Sequence, residues 1–88
     1  MTKLADHLKS LPPAELLAVC GELLYGARWQ SALAEDLDVT DRTMRRWVAG
    51  TSAMPEEVMG EVLQLMYERL SDLQGTVKGL EEMGVSVH

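Results

Sequence analysis

Three arginines, Arg42, Arg45 and Arg46, fall within five positions of the stretch "VTDRTMRRWVAG" at residues 39–50. A guanidinium stays charged at any physiological pH and presents a planar fork of donors. Such a cluster is suited to paired acceptors, whether phosphate oxygens or the edge of a base. The whole chain carries a formal net charge of −6, yet the balance over residues 40–50 is +2. Residues 1–27 sum to −1, residues 28–50 to 0 and residues 51–88 to −5. The acidity therefore belongs mostly to the C-terminal third, and the arginines are a local feature that needs its own explanation.

Other chemistry-bearing residues are sparse or scattered. His7 and His88 stand near opposite ends, in neither a metal-ligand nor a triad-like arrangement. No glycine-rich loop is spaced to cradle a phosphate. Cys20 is the only cysteine, set among Leu16, Leu17, Val19, Leu23 and Leu24. That setting suits a reduced core thiol in a cytoplasmic protein. The carboxylates sit where a solvated helix face would place them. The expectation is a protein that is not an enzyme and holds no metal or cofactor. No run of eighteen apolar residues offers a membrane span, and "MTKLADHLKSLPPAE" has no apolar signal core, so no export is expected.

The elements that must position the arginines read as helices throughout. Phe is absent, β-branched residues are few, and no segment alternates with period two. A short helix over residues 2–9 places Leu4 and Leu8 on one face. "SLPP" breaks the chain, with Pro13 suited to the first turn of a helix running to Tyr25 and ended by Gly26. "WQSALAEDL" forms the next helix, apolar at Leu33, Ala34 and Leu37. After "DV" comes another, with Met44, Trp47 and Val48 on its apolar face and Gly50 at its end. Pro55 opens a long final helix, whose first turn carries Glu56 and Glu57. The fold class is thus all-α: a small bundle of four to five helices with a long C-terminal helix. Eighty-eight residues make one small domain, expected over residues 1–69, with a helical extension over residues 70–88.

Residues 30–49 meet the steric requirements of a helix-turn-helix. Counting from Gln30, the fifth residue is the small Ala34, the fourth and eighth are Leu33 and Leu37, and the tenth is Val39. The fifteenth and eighteenth, Met44 and Trp47, fill the space between the helices, and Thr40 can cap the second. These residues resemble the Cro/repressor-type helix-turn-helix family of small phage and bacterial regulators, over roughly residues 28–66. Three positions depart from that pattern. The ninth is Asp38 where the family has Gly at a positive φ, a conformation Asp tolerates better than most residues. Val48 stands at a position more often polar. Trp29 replaces a capping Ser or Thr, and two seats are open to it, the core or a phosphate.

On a helix beginning near Asp41, Met44, Trp47 and Val48 form one stripe, so Arg42, Arg45, Arg46 and Ala49 point the other way. A solvated face, with an Asp41–Arg45 pair one turn apart, is one reading. On the second helix of a helix-turn-helix, the major groove of DNA is the other. The resemblance then implies a double-stranded, palindromic operator. Arg42 and Arg46 are then the candidates expected to read guanines, and Asp41 is expected to accept from cytosine or to orient an arginine. Thr40, Thr43 and Arg45 are expected at phosphates or marginal base edges, and Gln30 and Arg28 at the backbone.

The final helix carries Met59, Leu63, Met66, Leu70, Leu73, Val77 and Leu80 at alternating spacings of four and three, a heptad seam. Its first half, with Val58, Val62 and Met66, is expected to pack on the domain. Its second half, with Met66, Leu70, Leu73, Val77 and Leu80, is expected to hold a homodimer. Gly75 and Gly79 predict a kink or break between residues 74 and 80, and "GVSVH" a disordered tail. The expected function is a DNA-binding transcriptional repressor or autoregulator acting in a bacterial or phage-infected cytoplasm. Two other readings remain open. One is the DNA-recognition part of a phage packaging or recombination complex. The other is an acidic protein-binding module that blocks an enzyme.

Overall fold

Proline and glycine mark where the helices of this chain start and stop. The computed structural model describes residues 3–87. Among these residues it has five helices and no strand: α1 (Lys3–Lys9), α2 (Pro13–Tyr25), α3 (Trp29–Asp36), α4 (Asp41–Ala49) and α5 (Glu57–Glu82). His88 lies outside the described residues. Pro12 is extended and Pro13 occupies the first turn of α2, where its missing N–H costs nothing. Gly26, at φ 86°, closes α2 by donating its N–H to the Glu22 carbonyl. Gly50, at φ 76°, closes α4 in the left-handed region. The Gly50 and Thr51 N–H groups donate to the Trp47 and Arg46 carbonyls at 3.1 and 3.0 Å. This satisfies acceptors that a helix end leaves open.

The core draws on every helix except α1, none of whose residues is buried. Leu17 and Cys20 of α2, Trp29, Leu33 and Ala34 of α3, Met44 and Trp47 of α4, and Val58 and Val62 of α5 pack together with Leu37. Helix α2 is the hub, in contact with α3, α4 and α5. Trp29 takes the core seat: its ring lies flat against Gly21, where a Cβ would come within 2.2 Å of Trp29 Cε3. Cys20 is buried, and burial raises its thiol pKa above the ordinary value. This disfavours the reactive thiolate.

Two sequence expectations are corrected here. Leu23 does not join the core; it is 62% exposed on the flank of α2. Nor does α5 kink: it runs unbroken from Glu57 to Glu82, through Gly75 and Gly79. A glycine weakens a helix by about 1 kcal/mol but keeps its N–H and clashes with nothing, so unlike proline it need not bend the chain. The helix ends at Gly84, φ 82°. There Val85 donates to the Leu80 carbonyl and Gly84 to that of Glu81. Residues 85–87 are non-helical. Only the first half of α5 packs on the body, so the molecule is drawn out to 50 × 29 × 22 Å. No helix among the described residues is long and apolar enough to cross a membrane.

Candidate nucleic-acid interface

Helices α3 and α4 are joined by the short turn Leu37–Thr40. The turn is tight because Asp38 adopts φ 58°. The Val39 N–H then reaches the Ala34 carbonyl at 2.9 Å, and the Asp38 N–H that of Glu35 at 3.1 Å. This is the glycine-type helix ending, made here by an aspartate. Ala34 is 1% exposed at the crossing of the two helices, where its small side chain lets them approach. Val39 is half-buried beneath the turn.

The start of α4 is fixed by Thr40. Its hydroxyl accepts from the Thr43 N–H at 3.1 Å and donates to Thr43 Oγ1 at 3.0 Å. Both threonine hydroxyls are therefore engaged in holding the helix end, which limits them as contacts to a ligand. The rest of α4 divides sharply. Met44 and Trp47 are buried, Val48 is half-buried, and Asp41, Arg42, Arg45, Arg46 and Ala49 are exposed. Among the described residues, none of the three arginines forms an ion pair or a side-chain hydrogen bond, and Asp41 does not pair with Arg45. The Arg46 backbone is anchored, its carbonyl accepting from the Thr51 N–H at 3.0 Å and the Thr51 hydroxyl at 3.3 Å. Arg28, just before α3, is exposed as well, and Gln30 is half-buried in the first turn of α3. Trp29, in contrast, is in the core and cannot lie along a phosphate.

Arg69, the remaining arginine, behaves differently. It donates to the Leu24 carbonyl at 2.6 Å and stacks 5.7 Å from the centre of the Tyr25 ring. The Tyr25 hydroxyl donates in turn to Asp36 Oδ2 at the end of α3. Partial burial, then the Asp36 hydrogen bond and charge, push the Tyr25 pKa up to about 12. This cluster straps α2, α3 and α5 together behind the turn. Sequence reasoning missed it because its members lie 11 and 45 residues apart. One signal was present: Arg69 is the lone arginine of the acidic third. No group of three or more His, Cys, Asp or Glu side chains is placed to hold a metal ion among the described residues.

The arrangement presents a helix with three unpaired guanidiniums on its outer face, backed by the buried Met44 and Trp47, with Arg28 exposed just before α3. No protein-family model matches this chain, and no curated protein or solved structure does either.

Proposed function

We propose that this protein is a sequence-specific DNA-binding regulator that inserts α4 into the major groove. The observation that carries the reading is the division of α4. Met44 and Trp47 fix one face in the core, so Arg42, Arg45 and Arg46 share the opposite face, exposed and without partners. Unpaired guanidiniums on one helix face offer free donors that bidentate acceptors can satisfy. Arg42 and Arg46, one turn apart near the start of α4, are assigned to guanine O6 and N7. Arg45 and Arg28 are assigned to phosphates, with Gln30 at the backbone margin and Asp41 beside the base edges. The capped Thr40 and Thr43 are assigned chiefly to holding the helix end. The resemblance to Cro/repressor-type regulators extends the reading to a repressor or autoregulator acting in the cytoplasm.

The test is selection of DNA fragments by the purified protein from a random pool, followed by binding measurements on the enriched site. Arg42→Ala or Arg46→Ala is expected to cost about 1–3 kcal/mol on that site and to relax the choice at one base pair. Arg45→Ala or Arg28→Ala is expected to weaken binding to all sequences alike and to lower the salt slope by about one. If the Arg42→Ala/Arg46→Ala double variant binds DNA as well as the parent at low salt, α4 is not in a groove. A helical module that binds another protein then becomes the better reading.

A further inference from the structure

The second half of α5 has no partner within its own chain. Leu63, Tyr67, Leu70, Leu73, Val77 and Leu80 are each 44–58% exposed along one side of the helix. At 1.5 Å per residue, the thirteen or so residues after Leu70 project about 20 Å beyond the last buried turn. A free segment of that length with two glycines is marginal in water, and a patch of this size on a monomer marks an interaction surface. Beside it lies a groove of about 320 Å³ between α2 and α5, lined by Leu23, Leu24, Met66, Arg69, Leu70 and Leu73.

We infer that the occupant of this groove is the projecting α5 half of a second copy, laid antiparallel. The chain carries both the ridge and the groove, and a two-fold axis between Leu70 and Leu73 places each in the other. The stripe is self-complementary in that register. Its spacings from Leu63 to Leu80 read 3, 4, 3, 4, 3 in either direction, so Leu63 meets Leu80 of the second copy, Met66 meets Val77, and Leu70 meets Leu73. Leu23, left 62% exposed by its own fold, is covered by the incoming helix. With Met83, 76% exposed, at the end of the stripe, these side chains form a continuous apolar face from Leu63 to Met83, of the kind that a stable interface covers. The net charge of −5 over residues 51–88 disfavours an anionic lipid surface as the cover, since such a surface attracts basic helices.

The axis position also fixes spacing. From Val62, where α5 meets the core, to the axis and on to the second Val62 is about 28 Å along the helix. On the DNA-binding reading, an axis so placed holds the two α4 helices at one fixed separation, as a DNA of two half-sites requires. This last step alone rests on the DNA-binding reading; the dimer does not.

Sedimentation of the intact chain and oxidative cross-linking, both without DNA, test the inference. The parent protein is expected to sediment as a dimer and Leu23→Asp as a monomer of unchanged helicity. Leu63→Cys mixed with Leu80→Cys is expected to give a disulfide-linked dimer, while Leu80→Cys alone does not. Parent protein with its buried Cys20 serves as the control. In a parallel pair, positions 63 and 80 lie about 25 Å apart along the axis, far beyond the Cα separation of about 4.4–6.8 Å that a disulfide spans. Self-linking of Leu80→Cys in preference to the mixed pair overturns the antiparallel arrangement. A monomeric parent protein overturns the dimer, and a dimeric Leu23→Asp variant removes the α2 groove from it. Should Leu23→Asp lose helicity, the cross-linking pattern still decides.

Discussion

Gly21 in the middle of α2 is where a single methyl group gives the sharpest test of the packing behind the arginine face. Glycine is a poor helix residue, so replacing it with alanine would ordinarily stabilise α2 by about 0.8–1.0 kcal/mol. Here a Cβ would meet Trp29 Cε3, Cδ2 and Cγ at 2.2, 2.4 and 2.9 Å. Carbon pairs settle near 3.5–4.0 Å, so the ring must retreat by more than about 1 Å. Trp29 is 4% exposed and its ring cannot fold away. Overpacking of this kind costs about 1–3 kcal/mol, and the strain here belongs at the upper end. The net expectation for Gly21→Ala is destabilisation by about 1–2 kcal/mol, or roughly 5–15 °C in Tm for a domain of this size. Gly75→Ala is the matched control. It lies on the same kind of helix interior with nothing within 4 Å of the added carbon. That variant should gain the full propensity term of about 0.8–1.0 kcal/mol. Urea unfolding followed by circular dichroism, at matched protein concentration, measures both. If Gly21→Ala proves as stabilising as Gly75→Ala, the indole does not lie on the α2 backbone and the placement of Trp29 is wrong.

Three further outcomes follow from named contacts. Trp47→Ala should destabilise by about 3–5 kcal/mol, because its ring is buried under α4; a well-folded variant that lost only DNA binding would put the ring on the outer face. Asp38→Gly should stabilise, and Asp38→Val should cost about 1–2 kcal/mol by urea unfolding, since φ 58° suits glycine and strains a β-branched residue. Equal stability of the two variants would show that the turn does not need the left-handed conformation. Tyr25 has its pKa raised to about 12 from an ordinary 10. The neutral phenol is therefore favoured by folding, and its stabilising contribution is complete below pH 10 and disappears as pH rises through about 12. Tyr25→Phe should remove that alkaline loss from a pH series of unfolding measurements; a parent and variant with parallel profiles would contradict it.

The parts of this fold that were legible in the sequence are those governed by local rules. Pro13, Gly26 and Gly50 set helix boundaries through backbone geometry alone, and the periodicity of Leu33, Ala34, Met44 and Trp47 set which faces meet. The positive φ of Asp38 followed from its place in a turn that demands one. Contacts that depend on how the helices cross were not legible. Trp29 had two plausible seats until Gly21, eight residues earlier on another helix, turned out to lie beneath its ring. Leu23 looked like core because α2 is apolar on more than one side, and nothing local says which side a neighbour covers. The arginines show the same limit. Arg42, Arg45 and Arg46 were readable as outward-facing from their own helix, whereas the role of Arg69 required knowing that the α5 backbone passes the end of α2.

The acidity of the chain ties the two proposals together. A single α4 offers three guanidiniums, with Arg28 as a fourth, on a body whose net charge is −6. Long-range attraction to a phosphate backbone is therefore weak, and on the proposed reading a single α4 has little sequence-independent affinity to draw on. Two such helices held rigidly at a fixed spacing change the arithmetic, because engagement of the first raises the effective concentration of the second. Half of the fourteen acids belong to residues 51–88, whose net charge is −5, and the latter part of that segment forms the arm between the two bodies in the inferred dimer. On the proposed reading, repulsion between the DNA and that arm works against off-register binding. A chain built this way gains affinity only where two half-sites stand at the spacing its dimer imposes, so low net charge toward DNA becomes a source of selectivity. Leu23→Asp, which separates the copies while leaving every arginine in place, should then abolish binding to a two-half-site DNA far more than binding to a single half-site.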